Sequence, residues 1–265
     1  KSFEMTNLDI EYPEKPSKYS QQEWEARVNL AACYRLTDYY GWTSTVYNHI
    51  TLRVPDTDTF LINGFGLNYN EICASNLVLV DLEGNKLSDD DFPINKAGFI
   101  IHSAIHQARP KDLHCVMHSH EVNSQTLAAS KSKLIPLTQE GCQLYERVGY
   151  HEFNGIVLND EEKEKLINAI GNEKHTLLMR NHGLITAGPT AAWAFIRHQH
   201  FIRNAEVQLK LMASNAEMSI ISDNILKHTR EQFEGGSAQA GAKVRHPEWP
   251  AFWRLLDSLD EKWKQ

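Results

Sequence analysis

The run LHCVMHSHE, Leu113 to Glu121, limits the possible folds more than any other stretch of this chain. Its interior residues Val116 and Met117 are apolar, so it reads as a buried strand of a sheet covered by helices. His118 and His120 lie at its exit and point to one face, because strand side chains alternate with period two. A third histidine, His182 in RNHGLITAG, stands beside Gly183 on a turn next to another apolar run. The glycine is expected to permit an unusual backbone turn that aims the ring inward. Three protein ligands with an open position is the arrangement of a catalytic divalent metal rather than a closed structural one. Spacing alone leaves two readings open. With 13 histidines in the chain, a chance His-x-His pair is easy to find, and hydrogen-bonded core histidines would give the same pattern.

The segments around this strand mix helices and strands without strict alternation. Residues 1–19, with Pro13 and Pro16, read as an extended arm. Ser20 with Glu23 forms a capping-box signature before the periodic stretch Gln21 to Tyr40, whose inner face would carry Trp24, Val28, Ala31, Ala32, Arg35 and Leu36. VYNHITLRV, DTFLING and NLVLVDLEGNKL read as strands, the last turning at Asp81 to Asn85. KAGFIIHSAIHQARP is a helix stopped by Pro110. Helices are expected again over Glu121–Ser130, over Asp160–Ile170 with Asp160 as cap, and from Thr190 through Ala213. KHTLLMRNHG reads as a strand and turn, EGGSAQAGAK as a mobile loop, and HPEWPAFWRLLDSLDEKW as a closing amphipathic helix. The fold expected is α/β: one αβα three-layer sandwich around a mostly antiparallel mixed sheet. Residues 20–232 would form it, with 233–265 packing on the same domain or on a neighbouring subunit.

Charge and composition exclude some functions. A net charge of −7 and a pI near 6.0 offer no footprint for nucleic acid. No apolar run approaches a membrane span. Cys33, Cys73, Cys115 and Cys142 show no pairing pattern and read as thiols of a reducing, cytoplasmic compartment. His102 and His106 fall one helical turn apart before the ligand strand. His102 is a candidate partner of a ligand or a fourth ligand, against the commoner reading of a polar helix face. His198 and His200 sit on a helix, point apart and are discounted.

Four stretches together resemble the class II aldolase/adducin family: YNHITLRVP, FLINGFGLNYNEI, HSAIHQARPKDLHCVMHSH and RNHGLITAGPT. The resemblance runs from about Trp24 to at least Leu211 and is nearer the adducin-like branch than the sugar-phosphate aldolases. It implies metal binding by His118, His120 and His182, a small-molecule substrate, and a homotetramer with sites between subunits. Zinc is the leading ion, with iron(II) or manganese behind it.

The chain departs from the aldolase pattern at informative positions. Where sugar-phosphate aldolases carry a glutamate that ligates metal and moves a proton, this chain has Gly98. Glu121 and Glu140 are the candidate replacements, although a helix-terminal charge and a loop carboxylate are the favoured readings of each. Restoring the carboxylate by Gly98→Glu is expected to return weak aldolase activity. The positions matching the phosphate cradle hold His49, Phe65 with Gly66, and Lys96 with Ala97; with Arg53 they are candidate contacts for a small anion. The family's proton-donating tyrosine comes from a neighbouring subunit, and Tyr145 (or Tyr150) lies in the right general segment. Three functions follow, in this order. The first is a metal-dependent lyase, of aldolase or decarboxylase type, acting on a small oxygenated carbonyl or carboxylate compound. The second is a non-haem iron oxygenase or other non-aldol metal enzyme. The third is a non-catalytic, adducin-like scaffold.

Overall fold

The computed structural model describes residues 9–156, 159–239 and 248–265. Its centre is a seven-stranded sheet in the order β3-β2-β1-β4-β7-β6-β5. The strands are β1 (Ile50–Arg53), β2 (Phe60–Ile62), β3 (Val78–Val80), β4 (Cys115–Ser119), β5 (Val148–His151), β6 (Thr176–Met179) and β7 (Gly183–Gly188). All neighbours are antiparallel except β5 and β6. Strand β4, which carries His118, is fourth of seven, paired on both edges, and every residue in it is buried.

The period of two divides each strand between two helical layers. Cys115 and Met117 of β4, Leu178 of β6 and Leu184 of β7 join the larger core with α1 (Gln21–Tyr39) and α5 (Ala191–Ser214). Val116, Leu177, Met179, Ile185 and Ala187 face the other way, against Ile101 and Ile105 of α2 (Lys96–Ala108) and Leu166 and Ile170 of α4 (Asp160–Ile170). The architecture is therefore the three-layer αβα sandwich expected. His118, two residues beyond Val116, falls on the α2 side by the same count.

Local chemistry explains the element ends, and corrects several expectations. Ser20 caps α1 by accepting the Glu23 N–H, but the Glu23 carboxylate pairs with Arg27 Nε at 3.0 Å rather than closing the box. Arg27 itself is buried and donates to the carbonyls of Ala74 and Leu77. Asn159, not Asp160, caps α4; its amide oxygen takes the Glu162 N–H, while Asp160 adds charge in the first turn. Strand β5, too short and Gly-interrupted to show a period, was not foreseen. The stretch expected as a mobile loop begins inside α6 (Asp223–Gln239), after α3 (Val122–Ala129) and α5 in chain order. Within it Glu234 pairs with Arg147 at 3.0 Å and with Arg230 at 3.7 Å. The rest of that stretch, residues 240–243, lies outside the described residues.

The closing helix α7 (Glu248–Leu259) packs on α1, where Trp249 Nε1 donates to Asn29 Oδ1 at 2.9 Å. The described part of the N-terminal arm is tied down beside it: Trp24 donates to the Pro13 carbonyl and Tyr12 meets the edge of Trp253. Among the described residues no helix is long and apolar enough to cross a membrane.

Candidate metal centre

His118, His120 and His182 converge. One ring nitrogen from each lies within 4.8 Å of the others, and the ring centroids are 4.8–4.9 Å apart. The first two come from the end of β4 and the third from the turn between β6 and β7, its neighbour in the sheet. Gly183 serves this approach differently from the expectation. Its φ is not positive; the left-handed residue of the turn is Asn181, at φ 57°. What Gly183 supplies is room, since a Cβ there would lie 2.4 Å from the Ser119 carbonyl and 3.1 Å from the His120 ring. Any side chain would drive β7 away from the ligand pair.

Hydrogen bonding fixes what these rings can do. The Leu184 carbonyl can only accept, so His118 Nδ1 carries the proton it donates at 2.9 Å, and Nε2 keeps its lone pair. His120 Nε2 is buried with no hydrogen-bond partner, an expensive state for a polar atom in the absence of a ligand. Burial first, then the neighbouring imidazoles, holds His118 well below the usual histidine range. The same two causes bring His182 down to about 4, and burial lowers His120. Three neutral imidazoles are the ligating form, and the set fits a divalent ion of the kind that accepts nitrogen donors.

The triad opens onto a cavity of about 330 Å³ that Asn48, His49, Gly98 and Ile101 also line. His49 precedes β1 and its carbonyl accepts the His118 N–H at 3.1 Å, so it sits beside the ligand strand. Its Nδ1 lies 3.1 Å from Asn63 Oδ1, and burial lowers its pKa. A Cβ added to Gly98 would lie 2.3 Å from both Cδ2 and Nε2 of that ring. The space in which a glutamate at this position would begin is already filled. A glutamate there would have to displace the His49 ring, which counts against the expectation that Gly98→Glu alone would restore activity. Asn48, at φ 70°, is buried and its Nδ2 has no partner.

Comparisons with known proteins show the family and the fold. The family model described as "Class II Aldolase and Adducin N-terminal domain" matches residues 28–209. The chain belongs to the class II aldolase/adducin family. An aldolase II superfamily protein from Pseudomonas syringae has a TM-score of 0.85 at 36% identity, over 94% of this chain and 98% of that one. An L-fuculose 1-phosphate aldolase from Glaciozyma antarctica has a TM-score of 0.79 at 28% identity, over 95% and 97%. Rat alpha-adducin is 35% identical over 91% of this chain, which spans 34% of adducin's length.

The remaining candidate residues of this class II aldolase-type chain are dispersed. Glu121 is buried as the cap of α3, its two oxygens taken by the N–H groups of Asn123 and Ser124 and by the Ser124 hydroxyl. That leaves its carboxylate committed and corrects its assignment as a base. Glu140 is exposed on a short 3-10 turn. Tyr145 lines a different cavity with Ile220, Asp223 and Leu226, and its pKa is raised by desolvation first and then by Asp223 and Glu146. Within one chain, then, neither Glu140 nor Tyr145 joins the triad. Arg53 is at the far end of β1, bound to Asp58 at 2.7 Å and to the Thr57 and His106 carbonyls, a structural role. Phe65 packs against Tyr47 at the edge of the cavity, next to an exposed Gly66, and Lys96 is exposed.

His102 is neither a fourth ligand nor bonded to one. Its Nδ1 is 2.9 Å from Thr51 Oγ1, which also lies 2.7 Å from His106 Nε2. His106 Nδ1 must donate to the Leu113 carbonyl, so the threonine proton goes to Nε2 and His102 Nδ1 donates to the threonine. Two further residues escaped the sequence reading. His198, discounted on its helix, bridges Ser119 at 2.6 Å and Thr186 at 2.8 Å, bracing β4 between its two ligands. Asn63, in FLINGFGL, holds the His49 ring, and only its place in a stretch resembling the pocket loop hinted at a role.

Proposed function

We propose that this chain is a divalent-metal-dependent lyase that breaks a carbon–carbon bond in a small oxygenated carbonyl or carboxylate compound, by aldol cleavage or decarboxylation. One observation supports it above the rest: three imidazoles converge on a cavity while His120 Nε2 is left without a partner. His118, His120 and His182 would hold the ion, with zinc ahead of iron(II) and manganese because a nitrogen-only set suits it. Bound there, the ion supplies a Lewis acid that polarises a carbonyl oxygen or adjacent hydroxyl. The chain's own residues do the rest. Ile101 forms apolar wall beside the triad, and Asn48 offers an unpaired amide donor to a substrate oxygen. Four free cysteines suit a cytoplasmic setting. A homotetramer, as the resemblance implies, would bring Tyr145 of a neighbouring subunit toward this cavity.

The likeness to an L-fuculose 1-phosphate aldolase supports the lyase class, whereas the likeness to alpha-adducin favours a second reading, a scaffold that keeps the fold without chemistry. An iron oxygenase is less well supported, because a carboxylate usually completes that triad. Glu121 is spent on its helix and Glu140 lies elsewhere in the chain.

Elemental analysis of tag-free protein separates the readings. Near-stoichiometric zinc, with cleavage of a hydroxy-ketone or loss of CO₂ from a 2-oxo acid in a substrate screen, is the expected result. Iron with oxygen uptake would put the oxygenase forward. No metal, and no uptake of added Zn²⁺ or Fe²⁺, would leave the scaffold.

A further inference from the structure

Both branches of the lyase reading pass through an enolate, and an enolate carbon needs a proton to finish the reaction. The family's aldolases take that proton through a carboxylate at the position of Gly98; here another group must carry it. Position 98 is an unusual place for glycine. It is the third residue of α2, whose cap Asn95 accepts the Gly98 N–H, and an acidic residue is favoured at that point of a helix. Glycine within a helix also costs stability relative to alanine. The contact with His49 accounts for it: a Cβ would overlap the Cδ2–Nε2 edge of the ring at 2.3 Å.

We propose that His49 stands in for the missing carboxylate, its Nε2 passing the proton to and from the carbon next to the substrate carbonyl, and that Gly98 is the positioning residue that makes room for the ring. The inference rests on the lyase reading above. Asn63 Oδ1, facing the ring at 3.1 Å, takes the Nδ1 proton and leaves Nε2 as the exchanging atom. Asn63 is itself buried and its Oδ1 lies 3.0 Å from the Tyr34 hydroxyl, so the ring is held from behind. His49 lines the same cavity as the triad, and its carbonyl is bonded to the backbone of His118.

The step balances without an oxidant or reductant. In aldol cleavage neutral Nε2 first takes the β-hydroxyl proton as the C–C bond breaks, and that oxygen becomes the carbonyl of the released fragment. In decarboxylation CO₂ leaves and Nε2 has taken its proton from solvent. Either way the electron pair of the broken C–C bond is left in the enolate. That pair takes the proton from Nε2–H to form a C–H bond, the carbonyl is restored, and the imidazole is left neutral. In the reverse direction neutral Nε2 removes the C–H proton and the enolate re-forms.

The test uses the zinc-loaded full chain with dihydroxyacetone and with pyruvate in D₂O, following loss of the carbon-bound protons by NMR. Wild type should exchange them, and His49→Ala should slow exchange by about 100-fold or more while zinc content stays unchanged. His49→Ala/Gly98→Glu should regain part of the rate, whereas Gly98→Glu alone should not. Gly98→Ala should lower Tm in wild type and be neutral or stabilising in His49→Ala. Exchange undiminished in His49→Ala, loss of zinc from it, or equal tolerance of Gly98→Ala in both backgrounds would overturn the assignment. Silence of zinc-loaded wild type with both probes would overturn the lyase reading and the proton role with it. The Tm comparison would still report on the steric pairing alone.

Discussion

Two groups of imidazoles, some buried and some half-buried, gather against the same sheet and are built to opposite rules. His106 and His198 use both ring nitrogens, on Thr51 and the Leu113 carbonyl in one case and on Ser119 and Thr186 in the other. His118 uses one nitrogen, on the Leu184 carbonyl, and His120 keeps a buried nitrogen without a partner. A ring whose hydrogen bonds are complete has nothing left to offer a ligand. Among these rings, complete hydrogen bonding goes with the bracing pair and partial satisfaction with the converging ones.

The largest effects should come from removing one member of each group. His118→Ala and His182→Ala should weaken metal binding by about 100-fold or more while the chain stays folded, read by plasma mass spectrometry and circular dichroism. His106→Ala and His198→Ala should do the reverse, costing about 2–4 kcal/mol in urea unfolding while keeping the metal, because each strands buried hydroxyl and carbonyl partners. Full metal occupancy in both of the first pair would erase the contrast.

Acid should sharpen the same distinction. Burial brings His106 and His198 down to about 3 in the folded chain, against an ordinary value near 6.5. Below 6.5 the unfolded chain takes up protons that the folded chain refuses. Stability is thus complete above that pH and is lost as pH falls toward 3. Each ring should cost about 2 kcal/mol by pH 5. Urea midpoints of metal-free protein between pH 7.5 and 5 should show it. His106→Ala should remove only its own share of about 2 kcal/mol, because His118, His182 and other buried rings titrate in the same direction. The smallest effect belongs to Glu140→Gln, which should leave stability within about 0.5 kcal/mol and metal content unchanged; a larger loss would bring this exposed carboxylate back into consideration.

The part of the site that could be read from sequence is the part with a local period. The strand spacing of His118 and His120 put them on one face, and the NHG stretch resembled the family's third ligand. The layered fold followed from the same patterns. His49 and Gly98 are 49 positions apart and meet only because β1 lies beside β4 beneath α2, so neither residue alone disclosed the overlap. His198 was misjudged because helical spacing says which side a ring faces, not which hydroxyls wait there. Strand β5 was missed because a four-residue parallel edge strand gives almost no pattern.

The turn that carries His182 is clasped by α3, the helix that starts directly after His120. Gln125 donates to the His182 carbonyl at 2.8 Å, Asn181 donates to the Ala128 carbonyl at 3.1 Å, and Arg180 reaches the carbonyls of Ser130 and Ser132. One helix therefore sets the distance of His182 from His118 and His120 with no ion needed to hold it. Little ordering entropy is left to be lost on capture. An ion held by the three rings would come and go without the turn opening, and the Asn181 amide should keep its protection from hydrogen exchange throughout.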